Sequence, residues 1–170
     1  MLKLLPDLRV DSISKVDLDA LSSRGIRGLI VDLDNTVVRW NRSELSRATI
    51  EWFQRARARG MRACIVSNAG HSGRVERVAA RLGACALARA GKPGSQGYLR
   101  AMQQMGTSAA ETAVIGDQLP TDVWGGNRLG LFTILVRPIG WWEFPPTKLN
   151  RILEWLILSW AEWRSPVPPS

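Results

Sequence analysis

Apolar runs rich in β-branched residues alternate with stretches of helical period along most of the chain. GLIVDL (28–33), MRACIVS (61–67), ACALA (84–88), ETAVIGD (111–117) and LFTILV (131–136) predict five strands. Leu45, Ala48, Trp52, Phe53 and Ala56 fall on one helical face, which predicts a helix from Ser43 to Arg59 with Gly60 as its stop. Val75, Val78, Ala79 and Leu82 predict a second helix, Ser72 to Leu82, closed by Gly83. A third, Ser95 to Met105, turns inward through Leu99 and Met102 and ends at Gly106. Near-continuous apolar strands separated by amphipathic helices are the pattern of an α/β protein, with a parallel sheet of about five strands covered on both faces.

In such sheets ligands bind beyond the carboxyl ends of the strands, and the polar residues collect there. Asp32 and Asp34 close the first strand, Ser67 and Asn68 the second and Asp117 the fourth, while Lys92 sits in the loop AGKPGS after the third. Two aspartates one residue apart on a strand point to the same side. That juxtaposition is costly on its own and is explained by a bound divalent cation or phosphoryl group.

DLDNT, SNAG, GKPGS and IGDQLPTD, in this order and on these strand ends, resemble the four motifs of the haloacid-dehalogenase-like (HAD) phosphatases. The wider segments SISKVDLDALSSRGIRGLIVDLDNTVV and GDQLPTDVWGGNRLGLFTILVRPI resemble subfamily IIIA and its YqeG-type branch, which is similar to phosphatidylglycerophosphate phosphatases. The resemblance implies a Rossmann-like core without a cap domain, because 69–91 holds only one helix and one strand. It also implies Asp32 as nucleophile, forming an aspartyl-phosphate, and Asp34 as general acid and then base. Mg2+ would be held by Asp32, Asp117 and the backbone carbonyl of Asp34. Ser67 and the N–H of Asn68 would hold phosphoryl oxygens and Lys92 would neutralise the growing charge. Thr36 and Asp122 would stand behind these groups, Asp122 orienting Lys92 or a metal-bound water. Two residues depart from the branch's pattern: Ala69, where a second Asn is more usual, and Pro120 at an aliphatic place that the first turn of a short helix accepts. His71, just past SNAG, reads as a surface or substrate-edge residue rather than a catalyst.

The net charge of +8 is concentrated in one stretch. Residues 39–100 carry 13 Lys or Arg against 3 acidic residues, and the remainder carries 10 against 12, so the excess points either to an anionic and extended partner or to a solvated, arginine-rich set of helix faces. Toward the C-terminus Leu149, Ile152, Leu153, Leu156, Ile157 and Trp160 recur at helical spacing, with Trp155 and Leu158 off the stripe. Five of the eight tryptophans lie in the last 30 residues, which suits a helix touching a membrane interface, or else one packed on the core or in an interface between copies. The organisation expected is an N-terminal segment packed on the core (1–27), a catalytic core (28–146), an amphipathic helix (147–164) and a disordered tail (165–170). No secretory signal or membrane-spanning stretch of about 20 apolar residues is read, which places the protein in the cytoplasm, at most peripherally on the inner face of a membrane. Cys64 and Cys85 lie in apolar strands without ligand spacing and read as buried free thiols.

The expected activity is Mg2+-dependent removal of the terminal phosphate of phosphatidylglycerophosphate, an anionic phospholipid, to give phosphatidylglycerol. One alternative is a phosphatase of nucleotides, sugar phosphates or phosphoproteins. Another is a basic RNA- or ribosome-binding module with a vestigial site, against which stands the full set of catalytic residue types. The oligomeric state is left open.

Overall fold

The computed structural model describes residues 4–140. Helix 147–164, tail 165–170 and five C-terminal tryptophans therefore lie outside the described residues. Six parallel strands form one sheet in the order β1-β6-β5-β2-β3-β4: β1 (Leu8–Val10), β2 (Gly28–Val31), β3 (Arg62–Val66), β4 (Cys85–Leu87), β5 (Thr112–Gly116) and β6 (Phe132–Val136). The five strands expected from the sequence are all present. The sixth, β1, pairs with β6 and is only three residues long, too short to show an alternating pattern.

The helices are α1 (Leu18–Ser23), α2 (Arg47–Ala58), α3 (Ser72–Leu82), α4 (Ser95–Met105) and a short α5 (Trp124–Asn127). α2 begins later than Ser43 because Ser46 supplies the cap, its hydroxyl accepting from the N–H of Thr49 at 3.1 Å. Its inward stripe is Thr49, Trp52, Phe53 and Ala56, and Ala48 lies outside. In α4 the stripe is Tyr98, Ala101, Met102 and Met105, which turns Leu99 out to 44% exposure. In both cases a larger or better-phased immediate neighbour, Thr49 after Ala48 and Tyr98 before Leu99, takes the inward place.

Alternate residues of the central strands feed opposite faces, as the period of a strand requires. Leu29, Val31, Ala113 and Ile115 join Trp52, Phe53, Val75 and Val78 on one side. Ile30, Val114, Cys64 and Val66 join Tyr98, Ala101, Met102 and Met105 on the other. Cys64 and Cys85 are register partners on β3 and β4, and the structure joins them as a disulfide. This corrects the expectation of free thiols, since strand register, invisible in the sequence, sets the two side chains against each other.

From β2 the chain builds outward through β3 and β4, then returns to the other side of β2 for β5 and β6. The order thus reverses between β2 and β5, and the connections from their carboxyl ends diverge around a crevice. After β5 a π-helical turn, Leu119–Val123, brings Asp122 back against the strand end. The close approach needs a glycine: a Cβ on Gly116 would lie 2.2 Å from the Asp122 carboxyl carbon. Gly116→Ala is therefore expected to cost about 1–3 kcal/mol of stability, measured by denaturant unfolding, together with loss of activity. A variant as stable and active as the parent would contradict this packing.

Candidate active site

The crevice at the reversal point holds every strand-end residue singled out in the sequence. The Lys92 ammonium lies at its centre, 2.6 Å from Asp32 Oδ1 and 2.7 Å from Asp122 Oδ1. Three elements position it. β2 ends at Val31, and the Asp32 N–H still donates to Ile115 O at 2.9 Å, which holds Asp32 against β5. Asn68, at the end of β3, grips the Lys92 backbone twice: its Nδ2 donates to Lys92 O at 2.9 Å and its Oδ1 accepts from Lys92 N at 2.8 Å. The π turn supplies Asp122, whose Oδ2 accepts from the Gln118 N–H at 3.2 Å. Tyr98 of α4 donates its hydroxyl to Thr121 O and ties that turn to the neighbouring helix.

Oxygens of Asp32, Asp117 and Asp122 lie within 4.8 Å of one another. Asp117 accepts from Thr36 Oγ1 at 3.3 Å. Three carboxylates gather near one ammonium, and burial, more than that charge imbalance, sets how Asp32 titrates. Burial pushes the Asp32 carboxyl up to about 7; Asp122 and Asp34 add to the rise, and Lys92 opposes it. Burial pulls the Lys92 ammonium down, but Asp122 and Asp32 outweigh it, so its pKa lies above the ordinary range and the cation is retained. A buried set of three carboxylates with oxygens this close fits a hard divalent cation.

Asp34 belongs to a second, adjoining arrangement. Asn35, with φ of 62°, turns the chain sharply after Asp34, and the Asn41 N–H donates to Asp34 Oδ1 at 2.8 Å. Asp34 Oδ2 accepts from Arg74 Nη2 at 2.5 Å, and Arg74 Nη1 donates to the Arg42 carbonyl at 2.8 Å. Ser67 Oγ accepts from the Ala69 N–H at 3.1 Å, leaving the hydroxyl hydrogen to be donated. These groups line an open cavity of about 500 Å³ together with Trp40, His71, Gln118 and Thr121. Sequence reading missed Arg74, Asn41 and Gln118. Arg74 left one trace: it occupies the inward stripe of α3, four residues before Val78, where a cation is out of place without a partner.

Comparison with known proteins agrees with this geometry. The family model "HAD-hyrolase-like" matches residues 89–138. The chain is 40% identical over 155 residues to "Probable phosphatase YqeG" of Bacillus subtilis, covering 91% of this chain and 90% of that protein. It is 28% identical to the chloroplastic phosphatidylglycerophosphate phosphatase 1 of Chlamydomonas reinhardtii, spanning 94% of this chain and 63% of that protein. Among solved structures, a haloacid dehalogenase-like hydrolase from Brucella suis superposes with a TM-score of 0.55 at 16% identity, covering 71% of this chain and 91% of that one. A structure assigned to subfamily IIIA of the HAD superfamily, from Legionella pneumophila, gives 0.53 at 19% identity, covering 72% of this chain and 70% of that one. The chain belongs to the haloacid-dehalogenase-like family and is a phosphatase of its YqeG-type branch.

The charge imbalance has a measurable sign. A carboxyl whose folded pKa is raised loses stability for the metal-free protein as pH climbs from its unfolded value near 4 to about 7. Asp32→Asn removes that penalty. The melting temperature of the metal-free variant is expected to exceed that of the parent at pH 8, and the gap is expected to close toward pH 4. A gap independent of pH would contradict the electrostatic reading.

Proposed function

We propose that the protein is a Mg2+-dependent phosphomonoester hydrolase acting through Asp32, with the terminal monoester of phosphatidylglycerophosphate as its substrate. The observation that carries the chemistry is the ammonium of Lys92 held between Asp32 and Asp122 within the crevice. In this reading an Asp32 oxygen attacks phosphorus, forming an aspartyl-phosphate as the bond to the leaving oxygen breaks. Asp34 gives that oxygen a proton. Water then attacks phosphorus, Asp34 takes its proton, and inorganic phosphate leaves as Asp32 is regenerated. Lys92 and the Ser67 hydroxyl stabilise charge on the phosphoryl oxygens, and Asn68, its side chain spent on the Lys92 loop, contributes its backbone N–H. Asp32, Asp117 and the backbone carbonyl of Asp34 would hold Mg2+, with Asp122 beside them anchoring Lys92. When bound, the ion neutralises the approach of an anionic nucleophile to an anionic phosphate.

Two features favour a lipid headgroup over a small metabolite. Among the described residues, the connections at 32–46 and 67–94 insert no domain over the cavity, so a phosphate carried on a large body can reach it. Eleven of the thirteen basic residues between Arg39 and Arg100 are exposed, which suits an anionic surface. The relative from Chlamydomonas reinhardtii bears the name of this activity. No helix among the described residues is long and apolar enough to cross a membrane, and the bilayer contact proposed here is a peripheral one.

Phosphate release from phosphatidylglycerophosphate in mixed micelles with Mg2+ tests the proposal. Asp32→Asn and chelation are each expected to reduce turnover by at least about 10³-fold, as for loss of a nucleophile elsewhere. Activity on glycerol 3-phosphate or nucleotides with none on the lipid would discard the substrate and keep the chemistry. Turnover that survives Asp32→Asn would overturn the mechanism.

A further inference from the structure

Arg74 is 9% exposed, yet its guanidinium is only partly satisfied. Nη2 meets Asp34, Nη1 meets the Arg42 carbonyl, and Nε is buried without a partner. A guanidinium has five N–H donors, and one kept only for structure is normally supplied with matching acceptors. The helix that carries it is equally unfinished. α3 runs for eleven residues from Ser72, no side chain caps its first turn, and that turn holds no acidic residue. A helix N-terminus already carries roughly half a positive charge. Arginine in place of aspartate or glutamate adds a cation that Asp34 offsets, and the partial positive charge of the helix end is left without a carboxylate of its own turn. Gly70, His71 and Arg74 line that end, beside Asn41 and Trp40. The cavity, at about 500 Å³, falls in the size range of sites for drug-sized ligands and exceeds what one phosphoryl group needs.

We infer that Arg74 and the uncapped first turn of α3 form a second anion subsite, which binds the phosphodiester of a substrate whose terminal monoester is at Asp32. Lys92 serves the monoester from the opposite side of the crevice, so the two anions of one headgroup meet two separate cations. Arg74 then acts as a specificity-determining residue: it favours substrates with a second negative group over simple monoesters. This inference deepens the lipid-headgroup reading and rests on it for the identity of the second anion.

The test uses soluble headgroups, which separate the subsite from any effect of a lipid surface. Deacylated phosphatidylglycerophosphate carries both the diester and the monoester, and glycerol 3-phosphate carries the monoester alone. The parent is expected to favour the first in kcat/KM by about 10- to 100-fold, the worth of a charge-assisted contact. In Arg74→Gln this ratio is expected to fall toward one, mainly through KM, and Arg74→Lys is expected to restore part of it. In the parent itself, glycerophosphoglycerol is expected to inhibit competitively at concentrations where glycerol does not. This arm needs no variant to fold. Equal losses on both substrates in Arg74→Gln, a parent ratio near one, or no inhibition by glycerophosphoglycerol would each overturn the subsite. Turnover of the intact lipid without a preference for the diester would overturn the subsite and leave the substrate standing. Preference for doubly anionic soluble phosphates without turnover of the lipid would do the reverse. A parent inactive on every substrate would overturn both.

Discussion

One buried ammonium holds the site together. Lys92 is attached to the loop after β4, and it reaches across to the carboxylate that follows β2 and to the one that follows β5. Taking such charges out of water costs several kcal/mol per ion, and the cost is recovered only when geometry and further hydrogen bonds are good. Here the neighbours supply them: Asn68 fixes the lysine's backbone and Gln118 satisfies Asp122. Three loops far apart in sequence are thereby pinned to one point at the reversal of the sheet. Loss of the ammonium would leave the buried carboxylates facing one another, whereas loss of Asp32 leaves Lys92 paired with Asp122.

The arrangement separates two kinds of charge. Around Lys92 the carboxylates cluster, burial with a smaller push from Asp122 and Asp34 raises the Asp32 pKa, and the oxygen-rich set suits a cation. At the other end of the cavity, Arg74 is paired with Asp34, and the start of α3 has no acidic residue in its first turn, the features on which the proposed anion subsite rests. Asp34 lies between them, tied by Arg74 and by the Asn41 N–H to a fixed place beside Asp32. Of the basic residues between Arg39 and Arg100, only Arg74 and Lys92 are buried, and both are spent on this crevice. The others remain on the surface, where their charge acts at long range on an anionic partner.

Much of the fold was legible because burial on both faces writes itself into strands as unbroken apolar runs, as in Leu29–Val31 and Ala113–Ile115. The strand-end aspartates, Lys92 and Ser67 were legible because charged or hydroxyl groups at the ends of such runs have few purely structural uses. What escaped was set by the third dimension. β1 is too short for its pattern to register, and the pairing of Cys64 with Cys85 depends on strand register. The backbone N–H of Asn68 was the group expected on phosphate, and spacing alone could not show that its side chain serves the Lys92 loop across 24 residues. Arg74 was counted among the surface arginines although its helical phase placed it inward. Phase within a helix decides such cases, and the same error put Leu99 inside and left Tyr98 unnoticed.

The central claim is that the Lys92-paired aspartate is the group that attacks phosphorus. Trapping the covalent adduct tests it most directly: the protein turning over substrate labelled with phosphorus-32 is quenched in acid, which preserves acyl phosphates, and the labelled peptide is sequenced. The account predicts transient label on the peptide containing Asp32, absent from Asp32→Asn. Steady turnover with no label on the protein, or label on a different residue, would contradict it.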